Sequence, residues 1–352
     1  MEFQEIYHDF NLNELEREIQ ELAVGTGFNF EKLIEALYAD AGEGILFSVM
    51  ESVKEIILQE WIQTKNIFVT IVIIVLVSAL FSTYKDVFQN YQIAELSFYV
   101  NYLVLMVIIA NLFGQALQVG EEALRTIEEF MRIFFPTYFC IVGTTAGVGT
   151  GLAYYQIAGL IIYLVEWGLI SVLLPALSAY MLLVLMDGIW EEGKLVLFLK
   201  MMEKGIKFVL KLSLGILTGA GMMQSLIRPL VDRIKSETIY KAIEIIPGIG
   251  EVGEGAMRIW LGSAVLIKNS VGVAGCIFLL LVCLDPIIKI GILGGILKIT
   301  SAILSVAGEK KMIMCMNHVG DAVFMVLQAV SYGVLFFVVL IAITAYSTSG
   351  VF

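Results

Sequence analysis

The sequence predicts an all-α, polytopic transmembrane protein, and three observations carry that assignment. The first is a series of long apolar runs: residues 67–84 (IFVTIVIIVLVSALFSTY), 97–117 and 322–346 hold no charged residue. About 20 apolar residues in a helix cross the hydrocarbon core of a bilayer. The second is composition: 59% hydrophobic and 16% charged residues, with mean hydropathy +0.88, against about 25% charged in an average soluble domain. The third is the continuity of the runs. A membrane barrel would alternate apolar and polar residues; these segments do not, and lipid leaves helices as the other way to satisfy the backbone.

Spans are expected at about 67–84, 97–117, 131–151, 157–186, 205–226, 270–306 and 322–346. Two are longer than one crossing needs and contain proline and charge: Glu166 and Pro175 in the fourth, Asp285, Pro286, Lys289 and Lys298 in the sixth. Each is a kinked helix or two shorter segments, because proline removes a backbone bond. The count is therefore about seven to nine. No internal repeat is evident. Basic residues cluster on both sides of residues 212–227, so the positive-inside rule fixes no orientation.

Residues 1–66 differ in kind, holding 14 Asp/Glu against 4 Lys/Arg, while the rest of the chain is nearly neutral. The periodicity of Leu12, Leu15, Ile19 and Leu22, with Asn11 or Asn13 as cap, predicts a short amphipathic helix. A second short helix, capped by Asn29 and carrying Leu33, Ile34 and Leu37, and a third at about 45–63 with interfacial Trp61 are also expected. The expected organisation is an acidic helical region at the membrane surface (1–66) followed by a transmembrane domain (67–352). Residues 1–30 lack a basic start followed by an apolar core, so the first span is the targeting signal or a leader precedes this sequence.

Several function classes lack support. An acidic chain, net −11, offers no basic face for nucleic acid. The cysteines Cys140, Cys276, Cys283 and Cys315 form no CxxC, and His8 and His318 are the two histidines; a zinc site is not expected, and the thiols read as small hydrophobes. No nucleophile–base pair, Walker loop or HExxH occurs, so neither a catalytic residue nor a cofactor is assigned.

The polar and small residues suggest assembly. Gly143, Gly147 and Gly151 recur every four residues, as do Gly215 and Gly219, and Gly291 and Gly295. Such spacing lets helix backbones approach closely, within one chain or between subunits of a homo-oligomer. Residues 247–255 (PGIGEVGEG) contain GxGxxG, but without a βαβ context this reads as a glycine-rich bend. Asp285 and Lys289, four apart, share a helix face and can pair, either inside a span on a pathway or as the polar turn between two spans. Glu166 in IIYLVEWGLI is interfacial or a proton relay.

Residues 246–290 resemble the signature region of the stage III sporulation protein AE family. The matching positions are Ile246, Pro247 and Gly250 in an Ile-Pro-x-x-Gly turn; Leu266, Lys268 and Asn269; Val271, Gly272, Ala274 and Gly275; and Pro286, Lys289 and Ile290. Residues 219–235 and the tail from Cys315 to Ala342 extend the likeness. The resemblance implies a non-enzymatic, multi-pass component of a channel or secretion-like complex in the mother-cell membrane around the forespore. It also implies other stage III A proteins and stage II sporulation protein Q as partners, and a need for the complex in late forespore gene expression. The alternative is an autonomous secondary transporter or flippase, with Pro175 and Pro286 breaking helices around a midplane site.

Overall fold

The computed structural model describes residues 17–19, 54–62, 64–66, 68–74, 77, 91–146, 156, 159–160, 164–165, 167–187, 195–213, 215–216, 250–307 and 310–349. Among them every regular element is helical. The principal ones are α1 (Tyr91–Ala146), α2 (Leu174–Asp187, preceded by the π-helical stretch Trp167–Leu173), α3 (196–213), α4 (Gly250–Ala307) and α5 (Lys310–Ser349). Four helical stretches are long and apolar enough to cross a membrane: Tyr99–Gly143, Trp167–Asp187, Lys268–Ile303 and Lys311–Ala345. The bent pair Lys54–Ile62 and Thr64–Ile74 adds a fifth if it acts as one span.

Among the described residues this is fewer than the expected count, and one cause is fusion. The expected span 97–117 and residues 131–146 of the next share one helix of 56 residues. The polar stretch between them, QVGEEALRTIEEF, keeps strong helix formers and a buried apolar side at Ala123, Leu124, Ile127 and Phe130. Its charges pair along the helix, Arg125 with Glu121 at 2.8 Å and Arg132 with Glu128. The helix therefore continues where hydropathy alone suggests a loop. Residues 270–306 likewise form part of one helix, so Asp285, Pro286 and Lys289 are not a turn between spans. The glycine-rich bend is also corrected: Gly250 begins α4, and residues 250–255 are helical. Pro247 and Gly248 lie outside the described residues, as do all of 78–90 and 217–249.

Contacts along the helices fix their directions. Gly272 of α4 lies against Tyr138 of α1 and Ile341 of α5, and Gly120 of α1 lies against Ile290 and Val326. Residue numbers thus rise together in α1 and α5 and fall in α4. Helices α4 and α5 form an antiparallel hairpin, and α1 runs parallel to α5 beside both. The centre is an aromatic stack: Phe130, Phe134 and Tyr138 follow one another along α1 at centroid distances of 5.4 and 5.5 Å. Phe130 meets Phe278 at 5.8 Å, and Phe337 meets Phe130 edge-on at 5.2 Å.

These rings need a flat opposing surface, and Gly275 supplies it: a Cβ there would stand 2.5 Å from the Phe134 ring. Gly120 does the same against Val326, at 2.3 Å. Small residues that admit a neighbour this closely are the membrane counterpart of a well-packed core.

Four of the serine and threonine hydroxyls within the spans are absorbed locally. Ser178, Thr300, Ser331 and Thr344 each donate to the carbonyl four residues earlier, at 2.7–3.1 Å, so they add little polar surface to the bundle. The hairpin is pinned by Lys298 of α4, whose ammonium lies 2.7 Å from Asp321 and 2.6 Å from the Asn317 amide oxygen of α5.

Gly275→Leu should overpack the α1–α4 contact by about 1–3 kcal/mol and lower the unfolding midpoint of the purified chain. Adding Phe134→Ala should restore part of that loss, a non-additivity that a double-mutant cycle measures. Lys298→Met should destabilise the hairpin more than Lys298→Met with Asp321→Leu, because the single change leaves a carboxylate without its cation; resistance to detergent denaturation reads the difference.

Candidate functional site

The polar side chains of the bundle gather at distinct levels. At the first, Asp285 and Lys289 lie one turn apart on α4 with Lys289 Nζ 2.9 Å from Asp285 Oδ2. The same ammonium is 3.6 Å from Glu60 Oε1, on the short N-terminal helix Lys54–Ile62. A single lysine thus ties the N-terminal region to the hairpin. Pro286, between the two charges, donates no backbone hydrogen bond, so the carbonyl one turn before it has lost its usual partner. The charged side of α1, from Glu121 to Arg132, begins at about this level, since Gly120 touches Ile290.

At the second level, Lys298, Asn317 and Asp321 meet, and next to them Tyr180 of α2 lies 3.3 Å from His318 Nδ1. This set links three helices through two adjacent turns of α5. Beyond it the Tyr102 hydroxyl of α1 donates to the Leu185 carbonyl at 3.0 Å, joining α1 to the end of α2. At the opposite end of the bundle Lys268 is fully buried, and its ammonium donates to the Ala345 carbonyl at 3.3 Å. Ala345 lies near the C-terminus of α5, where a cation is favoured by the helix dipole.

The candidate residues read from the sequence fare differently. Asp285 and Lys289 are brought together, and Glu60 joins them. Lys268 is buried against α5, and the adjacent Asn269 is half-buried, with its Oδ1 lacking a hydrogen-bond partner. Gly250 starts α4, while Pro247 lies outside the described residues. Gly143 is half-buried near the end of α1; Gly147, Gly151, Gly219 and Glu166 also lie outside them. Gly215 is exposed and Gly291 and Gly295 are half-buried, and a Cβ at any of the three would meet nothing within 4 Å. The close glycine contacts fall at Gly120, Gly272, Gly275, Gly294, Gly320 and Gly333. The i, i+4 spacing pointed elsewhere because the decisive partner is a bulky residue on the facing helix, which spacing within one helix does not contain.

The Lys298–Asn317–Asp321 set and the Tyr180–His318 contact were not singled out. Their signal was available: Lys298 interrupts an apolar run, and Asp321 stands immediately before another. Among the described residues no group of three or more His, Cys, Asp or Glu side chains could hold a metal ion. The arrangement is one of ion pairs that join helices.

The family model described as stage III sporulation protein AE matches residues 28–348. The protein of that name from Bacillus subtilis (strain 168) is 21% identical over 330 residues, covering 89% of this chain and 82% of the relative. No solved structure matches. With nine-tenths of its length accounted for by that match, and with an all-helical body able to cross a membrane several times, the chain belongs to the stage III sporulation protein AE family.

Proposed function

We propose that this protein is a non-enzymatic, multi-pass subunit of a channel or secretion-like complex that joins mother cell and forespore and supports late forespore gene expression. Family membership over residues 28–348 carries the reading. The bundle's dimensions support it: α1 and α4, of 56 and 58 residues, measure about 85 Å at 1.5 Å per residue, against about 30 Å of hydrocarbon. Helices this long project beyond one bilayer and offer side surfaces to neighbouring proteins. By resemblance, those neighbours are other stage III A proteins in the mother-cell membrane and stage II sporulation protein Q from the forespore side.

Brief cross-linking of the tagged chain in sporulating cells, mild-detergent purification and mass spectrometry should recover other stage III A proteins. Recovery of the chain alone as a defined homo-oligomer would overturn the reading in favour of an autonomous transporter. Asp285→Asn gives a second test. A conduit subunit should keep its support of a late forespore reporter, because Glu60 still faces Lys289. Loss of the reporter with an unchanged amount of folded protein would instead indicate ion-coupled transport through Asp285.

A further inference from the structure

Helix α3 has three longitudinal strips, two of which face away from the bundle. Leu199, Ile206 and Leu210 are buried in the core, with Ser213 continuing their side. At 100° per residue, Lys200, Lys204, Lys207 and Lys211 fall together on a second strip, and all four are exposed. Leu197, Met201, Phe208 and Leu212 form the third, beside the lysines, with exposures of 82%, 62%, 64% and 52%. Lys207 is paired with Glu203 of the same helix.

Residues 196–213 do not by themselves make a span, because Lys200, Glu203, Lys204, Lys207 and Lys211 fall among these 18 residues; most of the expected span 205–226 lies outside the described residues. Nor is it remote from the bilayer. Helix α2, which belongs to a candidate span, ends at Asp187, and residues 188–195 reach at most about 28 Å even when extended.

A row of exposed lysines running beside a row of exposed large apolar side chains, on a helix tethered to a span, matches one surface: the boundary between headgroups and acyl chains. There the apolar strip leaves water, and the ammonium groups, compact charges on flexible stems, reach phosphate. We propose that α3 is an interfacial helix that binds anionic phospholipid, with Leu197, Met201, Phe208 and Leu212 in the acyl boundary and Lys200, Lys204 and Lys211 on the headgroup phosphates. An acidic protein partner would engage the lysines but leave the parallel apolar strip without a role. The apolar strip and the lysines together make the case for lipid.

The test uses the full-length purified chain. Native mass spectrometry after exposure to phosphatidylglycerol or phosphatidylcholine should show preferential retention of phosphatidylglycerol. The variant Lys200→Gln/Lys204→Gln/Lys211→Gln alters exposed side chains alone, so it should stay folded. It should lose that preference by tenfold or more, since each basic residue near an anionic surface is worth about fivefold in the additive limit. In vesicles containing phosphatidylglycerol, an environment-sensitive dye on Phe208→Cys should report an apolar surrounding, and the same dye on Lys204→Cys a wetter one. Unchanged phosphatidylglycerol retention in the triple variant would overturn the proposal and assign the lysines to a protein contact. A dye on Phe208→Cys that remains in water would overturn it as well.

Discussion

The seating of the Phe134 ring on Gly275 is the contact on which the bundle depends. It sets the separation of α1 from α4, and Phe130, Tyr138, Phe278 and Phe337 stack outward from it. In a bilayer the hydrophobic effect does not draw two apolar helices together, because lipid chains are as apolar as leucine. Close fit must do so, through many weak dispersion contacts that vanish with small gaps. Aromatic planes laid over glycine provide that fit. Moving the α1–α4 surfaces apart would also displace Gly120 from Val326 and Gly272 from Ile341, so α5 is held by the same geometry.

Charge plays the complementary part. Lys289 with Asp285 and Glu60, Lys298 with Asp321 and Asn317, and Lys268 with the Ala345 carbonyl each join segments distant in sequence. In a low-dielectric setting such pairs add little net stability, but breaking one is costly. They therefore act as register marks: sliding α4 by a turn along α5 would part Lys298 from Asp321 and Asn317. Packing supplies cohesion, and the ion pairs select one alignment.

The sequence announced the helices and their membrane character through uninterrupted apolar runs, and the pairing of Asp285 with Lys289 through their four-residue spacing. It misjudged continuity. Hydropathy registers the charges of 118–130 as a break, whereas Leu124, Ile127 and Phe130 keep one side of the helix buried throughout. Proline misled similarly at 286, where the helix persists despite one missing bond. Spacing within one helix did not point to Gly275, because a close approach requires a partner, and the partner of Gly275 lies on a different helix. The family signature, by contrast, includes Gly272 and Gly275 and so marks the contact that spacing rules overlooked.

The order of the helices has a consequence for biosynthesis. The aromatic face of α1 leaves the ribosome early, but the surface that receives it, on α4 and α5, follows about 140 residues later, and pairings this distant in sequence are slow to form. Until the hairpin arrives, α1 must reside in the membrane with Phe130, Phe134 and Tyr138 facing lipid or a provisional neighbour. The aromatic contact among α1, α4 and α5 is complete only once α5 has been made.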